Sequence, residues 1–224
     1  MVTKKLSSKQ RVLIVAIKMF LENGYKQTTM RELAKRANVN YGSLTFAFKS
    51  KENVVCQLLG YVFEYQFSKV KEILKEKAND KILFYATEMA LQINVAESSE
   101  HLREMYNVSY SMPNSSQVVF NTITTKLEDI FKEFLPQAEK KDFYELEIAS
   151  AGVMRNFISV PCDVYFTMER KIKRLLETTF LIYRVPQSKI DEALNFVSTL
   201  NLEKLARETL KGMNSYIENR LIDC

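Results

Sequence analysis

Residues 28–51 read TTMRELAKRANVNYGSLTFAFKSK, and their two short apolar patterns are separated by Asn38, Val39 and Asn40. In the first pattern Met30, Leu33, Ala34 and Ala37 fall at i, i+3, i+4 and i+7, one face of a helix. Thr29 precedes them as an N-cap, its hydroxyl placed to accept an orphan backbone N–H. Arg31, Glu32, Lys35 and Arg36 are left facing outward. Asn38 suits the left-handed residue that ends such a helix. Asn40 suits the cap of the next one, with Val39 and Leu44 spaced as a hydrophobic staple that fixes its entry angle. The interruption therefore reads as built, giving two helices with a turn between them. The second presents Tyr41, Gly42, Ser43, Thr45 and Phe46 away from Leu44, and small and hydrogen-bonding groups at a helix start suit a DNA major groove.

Outward from this stretch the pattern stays helical. Leu13, Ala16, Ile17 and Phe20 form a stripe on a helix over about 8–23, stopped by Gly24. A longer helix over about 51–77 carries Val54, Val55, Leu58, Leu59, Val62 and Phe63 behind a Ser50 cap. Asn79–Asp80 marks a turn or a new cap, and helices are predicted at about 80–97, 100–110, 115–135, 137–159, 163–184, 188–199 and 202–220. Pro113, Pro136, Pro161 and Pro186 recur at intervals of 23, 25 and 25 residues, so they can punctuate helices rather than interrupt them. The fold class is all-α. The polar stretch 109–117, SYSMPNSSQ, is expected to be a loop bordering a pocket entrance.

Charge is unevenly placed. Residues 1–51 carry eleven Lys/Arg, including Lys4 and Lys5, against Glu22 and Glu32, a balance of +9. The chain total is +5, which leaves −4 for residues 52–224. A basic head on a mildly acidic body suggests a polyanion as partner.

The three cysteines, Cys56, Cys162 and Cys224, fit neither a disulfide framework nor a metal cluster, so free thiols in a reducing cytoplasm are expected. The apolar run VLIVAIKMFL after Lys9 and Arg11 is broken by Lys18 and lacks a cleavage site, so neither a leader nor a membrane partner is expected. One histidine, His101, without a phosphate loop, a nucleophile elbow or a metal-ligand set, leaves no catalytic constellation, metal site or cofactor to expect.

Residues 9–59 resemble the N-terminal domain of the tetracycline-repressor (TetR) family of bacterial transcription regulators. The resemblance rests on RVLIVAIKMFLENGY, TTMRELAKRANVNYGSL and FKSKENV, aligned without a gap. It departs at Ile14, where a polar residue is usual, at Thr45, where a Tyr is usual, and at Ala47, where His or Tyr is common. It implies a three-helix DNA-binding head with a helix-turn-helix over residues 1–50, a connecting helix over 51–77, and a helical effector-binding and dimerisation domain over 78–224.

Position by position, the resemblance implies a DNA site of Thr29, Arg31, Tyr41, Gly42, Ser43, Thr45, Phe46 and Lys51. Arg31 would reach a base edge, Gly42 would allow close approach, and Lys51 would grip a phosphate. It also implies a homodimer pairing through C-terminal helices, a palindromic double-stranded operator, and release by a small-molecule effector. Apolar or polar side chains suited to an effector pocket are Phe84, Glu88, Met89, His101, Met105, Tyr106, Tyr110, Met154, Phe157 and Tyr165. The alternative is an all-α interaction protein whose DNA-binding head has decayed, with Thr45 as its symptom.

Overall fold

The computed structural model describes residues 6–223, so Lys4, Lys5 and Cys224 lie outside the described residues. Eleven α-helices and no strand occur among them: α1 (Ser8–Gln27), α2 (Met30–Arg36), α3 (Tyr41–Phe48), α4 (Lys51–Leu74), α5 (Lys81–Glu97), α6 (Glu100–Ser111), α7 (Pro113–Phe131), α8 (Lys140–Ser159), α9 (Met168–Ile182), α10 (Gln187–Ser198) and α11 (Leu202–Asp223). A 3-10 turn over Lys75–Lys77 follows α4. No helix among the described residues is long and apolar enough to cross a membrane.

Local chemistry explains most boundaries. Ser7, Thr29, Asn40, Ser50, Asp80, Ser99 and Thr167 each accept a backbone N–H from the first turn of the helix they precede. Thr29 and Glu32 form a reciprocal capping box, and the Thr29 hydroxyl holds the Glu32 carboxyl below its usual value. Asn38 takes φ 51°, the left-handed turn expected of it. Gly24 sits at φ 79° and breaks the regular path of α1, with the last turn continuing to Gln27.

Two apolar cores result. The head core joins α1, α2, α3 and the first half of α4, and the C-terminal end of α11 completes it through Met213, Ile217 and Leu221. The body core surrounds α5, which is buried on every side from Tyr85 to Ala96. Alongside the apolar residues, α5 buries Glu88, Gln92 and Asn94, and that makes its centre unusual.

Three expectations change here. The stretch 109–117 is no loop, because α6 ends at Ser111 and α7 begins at Pro113. Proline is tolerated at the first helical position, where its missing N–H is no loss, and Ser115 is fully buried. The segment 163–184 is helical only from Met168. Asp163 accepts hydrogen bonds from the Tyr165 and Phe166 N–H groups, and this local turn competes with a helix. Finally, the apolar side of α11 packs on α1, α4 and α5 of its own chain, so that face is not free to pair with a second copy.

Candidate DNA-binding head and effector cavities

The head displays a continuous outward surface. On α3, Leu44 and Phe48 are buried, at 2 % and 1 % exposure, and anchor the helix inward. Burying a phenylalanine completely stabilises by roughly 1.5–3 kcal/mol, so Phe48 is an anchor comparable to the leucine read from the sequence. Tyr41, Gly42, Ser43 and Phe46 are all exposed on the same helix. Phe46, at 89 % exposure, does not pack on α1 and faces outward with the rest. The Thr45 hydroxyl donates to the carbonyls of Tyr41 (3.1 Å) and Gly42 (3.0 Å), which folds it back on its own helix.

Arg31 belongs to α2, yet its guanidinium lies 5.9 Å from the centroid of the Tyr41 ring on α3. The two helices thus bring a fork of donors and an aromatic hydroxyl to one place. Thr29 sits beside them as the α2 cap.

Lys51 is different. Its ammonium donates to the carbonyls of Tyr25 (2.5 Å) and Thr28 (2.7 Å) and lies 4.1 Å from the Tyr25 ring centroid. Burial pushes its pKa down. This geometry directs the ammonium at the end of α1 and not at solvent. Arg11 acts similarly at the turn: its guanidinium donates to the carbonyls of Ala37 (3.1 Å), Asn38 (3.2 Å) and Leu6 (3.2 Å). The sequence offered Arg11 only as a positive charge. Its position 26 residues before the carbonyl it caps explains why no local pattern could reveal the contact.

Head and body are bracketed by two carboxylates. Glu52, in the first turn of α4 and 8 % exposed, accepts from Asn114 N (2.6 Å), Ser115 N (3.0 Å) and Asn114 Nδ2 (2.9 Å). It therefore caps the N-terminus of α7, where a negative charge is favoured. Glu104 on α6 accepts from Tyr25 N (2.9 Å) and Lys26 N (3.1 Å), just beyond the α1 kink. A Cβ on Gly24 would fall 2.5 Å from the Glu104 carboxylate, so the glycine permits both the kink and this contact. Nothing in the local sequence marked either glutamate.

Two cavities lie behind these brackets. The first, about 80 Å³, is almost wholly apolar and is walled by α1 (Ile17, Phe20, Leu21), by α4 and by α6. Met105, Tyr106 and Tyr110 are among the residues that line it. The second, about 40 Å³, lies deeper and is lined by Phe84, Glu88, Met89, Tyr110 and Met154 from the expected set, together with Glu147. Gln92 and Tyr110 line both cavities, and the Tyr110 hydroxyl donates to Gln92 Oε1 at 3.1 Å.

Three expected pocket residues lie elsewhere. The Nδ1 of His101 sits 3.2 Å from the Leu21 carbonyl, at the junction with α1. Phe157 packs against Phe166, with ring centroids 5.9 Å apart, and lines neither cavity. Tyr165 is 86 % exposed in the turn set by Asp163. Conversely, Glu147 lines the second cavity although Glu145 and Glu147 lie only two apart on α8. Glu145 is exposed and Glu147 is 4 % exposed, so the pair divides between solvent and core.

Residues 12–58 match the model for bacterial regulatory proteins of the tetR family. The head, over those residues, is of the tetR-family type. Among its relatives, the HTH-type transcriptional regulator QacR of Staphylococcus aureus is 29 % identical over 133 residues, 57 % of this chain and 71 % of QacR. The uncharacterized HTH-type transcriptional regulator YvkB of Bacillus subtilis is 28 % identical over 115 residues, 51 % of this chain and 57 % of YvkB. The HTH-type transcriptional repressor KstR2 of Mycobacterium tuberculosis is 36 % identical over 73 residues, 33 % of this chain and 36 % of KstR2. The TetR-family model covers only the head, and the coarse function it carries is DNA-binding regulation of transcription. The exposed face of α2 and α3 is the candidate DNA interface of that head.

Proposed function

We propose that the protein is a repressor that binds a near-palindromic operator as a cytoplasmic homodimer and is released when a small molecule enters its body. The observation that carries this reading is the position of the apolar cavity. Its walls come from α1 of the head, from the connecting helix α4 and from α6 of the body. An occupant larger than this cavity must move at least one of them. Glu52 and Glu104 would transmit such a movement, since each holds a helix end on the other side of the junction.

On DNA, the first turn of α3 would enter the major groove, with Arg31 on a base edge and Tyr41, Gly42 and Ser43 along the groove wall. Thr29, Thr45 and Phe46 would border sugar, phosphate or a thymine methyl. Two heads would sit about 34–36 Å apart, one helical turn of DNA. A shift in α4 changes that spacing and lowers affinity; a coupling of roughly 1–3 kcal/mol is ordinary for such a switch.

Pairing of two copies would use α8 and α9. Ile148 on α8 and Leu181 on α9 are 46 % and 64 % exposed, and the two helices pack on each other. Large apolar residues left exposed on neighbouring helices are the usual sign of a partner surface.

Affinity selection of sheared DNA from the source genome on purified protein, at moderate and at higher salt, tests the reading. Fragments sharing an inverted repeat are expected. Recovery only at low salt with no common sequence would refute operator binding, because non-specific contacts are almost entirely electrostatic.

A further inference from the structure

The two cavities offer a ligand polar atoms of one kind. In the apolar cavity, Gln66 is 2 % exposed; its Nε2 donates to the Tyr106 hydroxyl at 2.6 Å, while its Oε1 is buried without a hydrogen-bond partner. In the deeper cavity, Glu88 and Glu147 are 7 % and 4 % exposed. Glu88 Oε1 accepts from Gln92, and Glu147 Oε2 accepts from the Ser150 hydroxyl at 2.7 Å. Neither carboxyl has a cationic partner among the described residues. Lys126 on α7 is the lining residue that carries a positive charge; it is exposed, with its ammonium 5.6 Å from the Phe67 ring centroid. The other titratable groups facing the pair are the phenols of Tyr85, Tyr106, Tyr110 and Tyr183, which burial pushes up and keeps neutral. Burial likewise raises Glu88 to about 7 and Glu147 to about 8.

A buried carboxylate is costly without a counter-charge, and a buried carbonyl is costly without a donor. Three acceptor groups in adjoining cavities therefore call for a ligand that brings N–H donors and positive charge. Resting on the reading that the body holds the effector, we propose that the effector is an amphipathic primary amine. Its ammonium would enter between Glu88 and Glu147, and its apolar chain would extend past Gln92 and Tyr110 toward α1 and α4. A second donor on that chain would meet Gln66 Oε1. A carboxylate or phosphate ligand would set anion against anion. A neutral hydrocarbon would leave Gln66 Oε1 without a donor and the two carboxyls without a counter-charge. A quaternary ammonium supplies charge but no N–H and so answers only half of the requirement.

Isothermal titration calorimetry on the full chain without DNA tests this, using hexylamine, 1-hexanol, hexanoate and hexyltrimethylammonium at pH 7.5. Hexylamine is expected to bind about tenfold or more tighter than hexanol and tighter than the quaternary ion, with hexanoate weakest. An alkylamine stays charged near neutral pH, as a lysine does, so protons released on its binding come from the protein. Repeating the titration in buffers of different ionisation enthalpy should show up to about one released per amine. Glu88→Gln and Glu147→Gln, each checked for folding by circular dichroism, are expected to weaken hexylamine about tenfold, and Glu147→Gln to lower proton release the more of the two. Hexanol binding as tightly as hexylamine in the unaltered chain, or full amine affinity in either folded variant, would overturn the proposal. Operator release is measured separately. Amine binding that leaves the DNA complex intact would sustain the amine site and overturn the release reading. Release by hexanoate without amine binding would do the reverse.

Discussion

At the scale of single residues, the DNA face depends on where each positive charge is directed. Arg31 is exposed and held near Tyr41, so its fork is free to meet a guanine edge. Arg31→Ala should lower operator affinity by about 1–3 kcal/mol and relax preference at one base pair, measured by band shift on operator variants. Unchanged affinity and preference would remove Arg31 from the interface. Lys51 calls for the opposite expectation, because its ammonium caps carbonyls at the end of α1. Lys51→Met should lower stability by about 1–3 kcal/mol, read from the urea midpoint of the full chain. A variant that unfolds normally yet binds all DNA more weakly would return Lys51 to the phosphate-gripping role that its family position suggests.

At the scale of elements, what could be read from the sequence follows the distance over which the cause acts. The ends of α2, α3 and α4 were legible because Thr29, Asn40 and Ser50 cap helices that begin at the next residue. The start of α7 was not legible, since its cap is Glu52, 62 and 63 residues earlier in the chain. Polar composition alone made 109–117 look like a loop, although a distant carboxylate satisfies its amides. Tyr165 misled in the other direction: an aromatic residue suggested a cavity wall, while the Asp163 turn places it in solvent. Glu147 was hidden because spacing along a helix says which residues share a face but not which face is buried. The Glu52 cap is also the sharpest element-level test. Glu52→Ala leaves the Asn114 and Ser115 N–H groups without their acceptor and should destabilise by about 1–3 kcal/mol. If the cap transmits effector binding, the variant should also bind operator with reduced sensitivity to the effector. Loss of stability with full sensitivity would confine Glu52 to a structural role.

At the scale of the whole molecule, carboxyls whose pKa values are shifted in opposite directions shape stability against pH. Glu97 pairs with Lys171 at 2.6 Å and Arg103 at 3.2 Å, and these bonds hold its carboxyl below the usual range despite burial. Its contribution is present above the unfolded pKa, about 4.3, and is lost as pH falls through the lower folded value. Glu88 and Glu147 behave in reverse, because burial lifts their folded values to about 7 and about 8. The folded state then holds protons that the unfolded chain has released. Their contribution is complete below about pH 4.3 and is lost as pH rises through 7 and 8. Stability should therefore peak on the mildly acidic side and decline toward pH 8.5, rather than hold a plateau across neutrality. Glu147→Gln removes one cause of that decline and should raise stability at pH 8.5 by about 2–4 kcal/mol relative to its effect at pH 5, at 1.36 kcal/mol per pKa unit. Urea unfolding of both proteins at the two pH values measures the difference. A ligand that neutralises the pair should produce the same rescue in the unaltered chain, since binding the folded state alone stabilises it. Equal pH profiles for the two proteins would mean that Glu147 is already compensated in the fold, and the deep cavity would then have no need of a cation.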